Sequence, residues 1–362
     1  MTDRVLLLIG TRKGLWLASG RGGSSWEVTG PHLPMAEVCA AAIDTRGGRP
    51  RLLVGASSSH FGPSVVTSDD LGQTWQEPAV PPIAFPEDTA AALQRVWQLT
   101  PGPADQPDVV YAGTEPAALF RSEDAGRSFQ LVRGLWEHPH RAQWPPGGGG
   151  QALHTVIPHP RDHQRLAVGV STGGVYRTVD GGASWNPANT GVGAHFLPDP
   201  APEWGQCVHK IARHPQVPER MFLQNHHGVY RSTDGGGTWR SIADGLPSDF
   251  GFPIAVHPHR PEVVYAFPLD ADMRRYPPDG RCRVYRSEDA GDTWTALESG
   301  LPDGFWSAVL RDALWLDDAE PAGVYFGSRS GEVYASADEG GTWQQVASHL
   351  PDVLAVRAAS LP

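Results

Sequence analysis

The chain has 362 residues, 42 of them Gly and 34 Pro, with a formal net charge of −11, a composition that suits short strands joined by many turns and excludes a helical bundle. No run of Lys and Arg breaks the acidic balance, which excludes a nucleic-acid partner, and no apolar stretch is long enough for a membrane-spanning helix. The three cysteines, Cys39, Cys207 and Cys282, are odd in number and far apart, and no small-residue cleavage site follows the short apolar opening at 5–9; buried free thiols in a reducing cytoplasm are expected.

The first predicted strands are 5–11, 14–18 and 26–28, one fewer than later units hold. A second unit reads as strands 38–43, 51–55 and 65–68, and a third as 96–99, 109–113 and 119–122. The fourth unit uses 153–157, 166–170 and 175–178, and the fifth 208–212, 221–224 and 229–232. The sixth uses 252–256, 263–267 and 284–287, and the seventh 305–310, 323–327 and 333–336. Apolar and β-branched residues dominate these runs, as strands buried on both faces require. A last apolar run, 352–357, has no unit of its own and is expected to pair with the N-terminal strands, closing the set and removing its exposed edges.

Each unit ends in the same short pattern: Ser or Thr, then Asp two residues on, Gly two further, a hydroxyl residue two further, then an aromatic. It reads Ser232-Asp234-Gly236-Thr238-Trp239 in the fifth unit, and clear copies end at Trp75, Phe129, Trp185, Trp294 and Trp343. A degraded copy, Ser19-Arg21-Gly23-Ser25-Trp26, carries Arg in place of Asp. An Asp in a tight turn accepts hydrogen bonds from nearby N–H groups, and the Gly supplies a positive φ that a branched side chain resists. The closing aromatics at 26, 75, 129, 185, 239, 294 and 343 recur every 49 to 56 residues, so seven units fill the chain as one repeat domain over 1–362.

This motif resembles the Asp-box, or BNR, repeat of sialidase-like β-propellers, sortilin-type propellers and the propeller that assists photosystem assembly. The resemblance implies an all-β, seven-bladed β-propeller of four-stranded antiparallel blades, the ring sealed by the C-terminal strand. Sialidases of this kind carry an Arg-Ile-Pro motif near the start; here Arg12 sits in Thr11-Arg12-Lys13-Gly14. Xyloglucan-cleaving relatives use paired aspartates between two propellers, whereas one propeller is expected here.

In such a ring the boxes fall in turns between the third and outer strands, all on one face. His159, His214 and His257 recur in His-Pro steps on that same face and read as turn residues. Residues that break the repeat gather on the opposite face. Glu115, His154, His209 and Asp270 are the candidate catalytic groups, as general acids and bases. Arg12, Lys13, His60, Arg95, Trp97, Lys210, Asn225, His226 and Arg329 are the candidate substrate contacts, the cations suiting an anionic group. His154 and His209 align with each other at the start of the inner strand, where neighbouring units place Trp97 and Phe252. His154, His209 and His227 could together hold a divalent metal.

Three functions follow from this set: an enzyme, hydrolase or lyase, acting on a small polar or anionic molecule; a ligand-binding or adaptor propeller with a protein partner; or an exo-glycosidase with an altered site. On the adaptor reading, Trp144 is the expected exposed rim aromatic.

Overall fold

The computed structural model describes residues 4–20, 25–148, 150–271 and 274–361. Arg21 and Gly23 of the degraded seventh turn lie outside the described residues. Seven sheets form among the described residues, six of four strands and one of three, all antiparallel. The chain is a seven-bladed β-propeller. In the three-stranded second blade, the bridge between Thr67 and Gln76 stands where the outer strand would be.

The ring is closed as the sequence implied. Val353–Leu361 pairs with Arg4–Thr11 in the register Arg4↔Leu361 to Thr11↔Val353, and Gly14–Gly20 and Glu27–His32 complete that blade. Apart from Arg4 at its start, the strand Arg4–Thr11 is buried throughout, because it lies between two strands and beneath the neighbouring blades. Its near-continuous apolar sequence is what such a position demands.

The seventh blade differs from expectation. Its innermost strand is Leu314–Leu316, not 305–310. Phe305, Ala308 and Val309 are buried in the same core as the sheet residues, yet their backbone bonds go elsewhere: Phe305 N–H donates to the Gly280 carbonyl (2.7 Å) and the Ala308 carbonyl accepts from Arg329 N–H (2.9 Å). An apolar pattern reports burial; it does not report whether the backbone joins a ladder or braces two loops.

The repeated turns have one geometry in all six described copies. In the fifth blade Ser232 Oγ–H donates to Asp234 Oδ1 (2.7 Å) and accepts from Gly236 N–H (2.8 Å), while Thr238 donates its N–H to Oδ1 (3.0 Å) and its hydroxyl to Oδ2 (2.8 Å). The same bonds recur around Asp70, Asp124, Asp180, Asp289 and Asp338. The Gly that follows each Asp by two has φ between 85° and 98° in every copy, a region where a Cβ is strained.

The turn aims the closing aromatic at the preceding blade. Phe129, Trp239 and Trp343 donate their backbone N–H groups to Pro82, Thr190 and Ser299 carbonyls, each at 2.9 Å. The Trp239 and Trp294 indoles reach the Ala188 and Ile242 carbonyls, also at 2.9 Å. Adjacent blades are thus joined by hydrogen bonds as well as by packing. On the same face the His-Pro histidines serve as turn residues: His159, His214 and His257 Nδ1 accept backbone N–H groups two or three residues ahead at 3.0–3.2 Å.

The turn carboxylates are held in their charged form. At Asp70, Asp180 and Asp289 the hydroxyl of the closing Ser or Thr, then its backbone N–H, brings the pKa from 3.8 to about 2. At Asp234 partial burial opposes the shift, but the hydrogen bonds outweigh it and the value is again about 2. Folded values depressed below the unfolded one give stability that is present above the unfolded pKa and lost as pH falls through the folded one. The melting temperature should therefore drop steeply between pH 4 and pH 2. Asp289→Asn should lower it at neutral pH and flatten that acid slope, as read by circular dichroism across a pH series.

Candidate functional site

At the face opposite the repeated turns the channel opens into a cavity of about 430 Å³ lined by residues from all seven blades. The wall is built by one recurring device. Six innermost strands carry a β-bulge near their start, where one or two residues leave the ladder. A bulge re-aims the side chain it carries. Leu354, Cys39, Trp97, His209 and Phe252 occupy such positions and line the cavity.

Three bulge side chains also grip the next blade. Cys39 Sγ lies 3.2 Å from the Val96 carbonyl, His154 Nε2 lies 2.9 Å from the Val208 carbonyl, and His209 Nδ1 lies 2.6 Å from the Gly251 carbonyl. A carbonyl only accepts, so each ring nitrogen named donates its proton. The two histidines then differ. His154 has its Nδ1 engaged by Thr155 Oγ1 at 3.0 Å and is fully buried, leaving nothing for a ligand. His209 keeps the Nε2 lone pair, and that atom faces Cys207 Sγ at 3.6 Å. Burial, and then the positive charge of Arg311, push the His209 pKa well below its ordinary value, so the ring is neutral.

Within this acidic chain the mouth is lined by four arginines and two carboxylates. Glu37 takes Arg12 at 3.0 Å and Arg95 at 2.9 Å. Arg95 also meets Glu115 at 3.2 Å, and the Trp97 indole donates to the same carboxylate oxygen at 3.0 Å. Asp312 forms the floor, bonded to Lys210 at 2.8 Å and to Arg357. Burial works against the charged Asp312, and the two cations outweigh it to lower its pKa. Arg275 and Arg311 have no ion-pair partner among the described residues. Arg311 Nε is buried without a hydrogen bond, and its guanidinium stands 5.2 Å from the Trp97 ring centre. Burial lowers its pKa.

Of the residues expected at the site, the structure brings Arg12, Arg95, Trp97, His209 and His226 to the cavity, with Glu115 just behind Arg95 and Trp97. Lys210 lies below, bonded to Gln98 and Asp312. Asn225 is buried and donates to the Gly193 and His227 carbonyls. Lys13 and His60 are exposed and do not line the cavity, Arg329 pairs with Asp352 at 3.1 Å, and Asp270 faces Arg274 at 3.9 Å. The trio His154, His209 and His227 does not form a cluster. Instead Cys207, His209 and His226 place their ligand atoms within 4.8 Å of one another. Trp144 is no rim aromatic: it is 3% exposed, and its indole donates to Tyr176 Oη at 3.1 Å.

The long loop 269–275 is expected at this mouth from the sequence and brings Arg275 to the cavity, whereas Cys207, expected only as a buried free thiol, and Arg311 are site residues that the sequence pattern does not mark. Cys207 stands two residues before the bulge residue His209, as Glu37 stands before Cys39 and Arg95 before Trp97, and both members of each pair line the cavity. Arg311 was hidden by the misplaced inner strand of the seventh blade.

No protein-family profile matches the chain. Over 252 residues it is 24% identical to an oligoxyloglucan-reducing end-specific xyloglucanase of Emericella nidulans, a match covering 58% of this chain and 28% of that enzyme. The chain thus spans under a third of the length of this curated relative. Among solved structures, YCF48 bound to D1 peptide superposes with a TM-score of 0.55 at 14% identity, over 86% of this chain and 81% of that one. The WD40 β-propeller domain of Doa1 gives 0.55 at 10% identity, over 94% and 88%. These likenesses establish the fold. No helix among the described residues is long and apolar enough to cross a membrane.

The floor is sensitive to charge balance. Asp312→Ala would strand Lys210 and Arg357 without a counter-charge, and breaking a buried pair in this way costs about 3–5 kcal/mol. Urea denaturation should show that loss, and Asp312→Ala combined with Lys210→Met should recover part of it.

Proposed function

We propose that the channel mouth binds a small anionic substrate, and that the chain acts on it as a hydrolase or lyase. The observation that carries this reading is Arg311, a half-buried side chain with no ion-pair partner among the described residues and with its Nε buried and unbonded, facing an aromatic-lined cavity. Asp312 supports this charge only in part, being shared with Lys210 and Arg357, and a carboxylate or phosphate on a ligand completes the compensation. Arg275, over Phe250 and Phe252 at 5.8 Å, supplies a second cation. A cationic mouth on an acidic protein focuses anions toward the channel.

The xyloglucanase likeness supports a hydrolase, but a neutral glucan fits this mouth less well. Two-carboxylate glycoside hydrolysis needs carboxyl groups free to take up and give up protons, and Glu37, Glu115 and Asp312 are each committed to cations. The repeated turns support placement among Asp-box, sialidase-like propellers, and the three free thiols fit a reducing cytoplasm. A second reading, a peptide-binding propeller, is favoured by Phe196 at the mouth, 46% exposed, and by the peptide bound to YCF48.

The test is a ligand panel of inorganic phosphate, a sugar phosphate, an aldonate and a neutral xyloglucan oligosaccharide, followed by calorimetry and thermal shift. The anions should raise the melting temperature, and Arg311→Gln should weaken them by about tenfold or more, about 1.4 kcal/mol. The free variant should be at least as stable as the parent, because a half-buried charge with no ion-pair partner among the described residues has been removed. Release of product from chromogenic esters or phosphate esters separates an enzyme from a binding protein. Binding of the neutral oligosaccharide with no response to anions overturns the reading.

A further inference from the structure

We infer that Cys207, His209 and His226 form a binding site for a divalent transition metal of the zinc type, with its open position facing the cavity. The inference rests on the same site as the proposed function and names a cofactor for it. The three ligand atoms lie within 4.8 Å of one another. In a tetrahedral centre with Zn–S about 2.3 Å and Zn–N about 2.0–2.1 Å, sulfur and nitrogen stand about 3.5 Å apart. Cys207 Sγ and His209 Nε2 are at 3.6 Å, so that edge of the tetrahedron is already set.

The backbone holds the three donors in place. His209 sits in the bulge of the innermost strand, where Val208 pairs with Asn225 and Lys210 with Gln224. His226 N–H donates to the Cys207 carbonyl at 2.9 Å, which pins the turn carrying His226 against the strand carrying Cys207. The second-neighbour bond is also present. His209 Nδ1–H donates to the Gly251 carbonyl, fixing the tautomer with Nε2 free, the arrangement that orients metal-bound imidazoles.

The donor set is soft to borderline, with one sulfur and two imidazole nitrogens, which suits zinc rather than calcium or magnesium. A coordinated thiol is deprotonated, and its negative charge offsets part of the ion's charge beside Arg311. Three protein ligands leave one tetrahedral position free, the pattern of sites that bind water or substrate. An anion held by Arg311 would lie next to it.

The test uses the full chain, stripped with a chelator and titrated with Zn²⁺ against a chromophoric competitor, then with Co²⁺. One equivalent should bind, and the Co²⁺ form should show a thiolate-to-metal charge-transfer band. Cys207→Ser should abolish that band, and Cys207→Ser and His226→Ala should each weaken Zn²⁺ by about 10-fold or more. His60→Ala should change nothing, and melting curves of each variant establish that it is folded. Binding that is unaffected in a folded Cys207→Ser/His226→Ala double variant overturns the site, as does a Co²⁺ spectrum without the thiolate band or no binding at all. Titrating the stripped protein with inorganic phosphate separates the two readings. Phosphate bound through Arg311 without metal affinity leaves the anion site and removes the metal. Metal bound without any anion response does the reverse.

Discussion

A carboxylate that accepts two N–H or O–H groups from the residue four positions on, and is itself braced by the hydroxyl two positions before, is the bond system on which the ring depends. It forces a tight left-handed turn, and that turn throws the next aromatic outward against the preceding blade. Because the backbone or indole N–H of Phe129, Trp239, Trp294 and Trp343 then finds a carbonyl on that blade, local turn chemistry becomes blade-to-blade geometry. Six turns repeat this bond system, and in the first blade the pairing of Arg4–Thr11 with Val353–Leu361 joins the two ends of the chain in one sheet.

The two faces of the ring consequently have opposite characters. On the face of the turns the aspartates bond the residues two before and four after them, and the histidines of the His-Pro steps accept backbone N–H groups two or three residues ahead, so these side chains are spent on structure. On the other face six of the seven innermost strands are bulged, and in five of them a bulge side chain lines the cavity. The same slot holds Leu, Cys, Trp, His or Phe in different blades. Sevenfold backbone repetition with non-repeating side chains yields an asymmetric cavity, which is what recognition of one small molecule requires.

His154 and His209 illustrate how little separates a structural residue from a reactive one. Both sit in bulges and both grip a carbonyl of the following blade. His154 does so with Nε2 and closes its other nitrogen on Thr155; His209 does so with Nδ1 and turns Nε2 toward Cys207. A single ring orientation therefore decides which imidazole is available for chemistry. Arg311 adds the charge, with no ion pair of its own among the described residues, beside an Asp312 whose charge is shared with Lys210 and Arg357.

The architecture was written in the sequence because it rests on local rules: Asp and Gly at fixed offsets fold the same turn wherever they occur, and their spacing counts the blades. The equivalence of Trp97, His154, His209 and Phe252 was legible for the same reason, as was the convergence of Arg12, Arg95 and His226 on one mouth. The inner strand of the seventh blade was not, since Phe305 and Val309 are buried through loops that only the closed ring brings together, and the shift concealed Arg311. Nor could sequence show which nitrogen of His209 is free or that Cys207 faces His226. Those depend on bulges and on carbonyls supplied by a neighbouring blade some forty residues away, and only the packed ring fixes them.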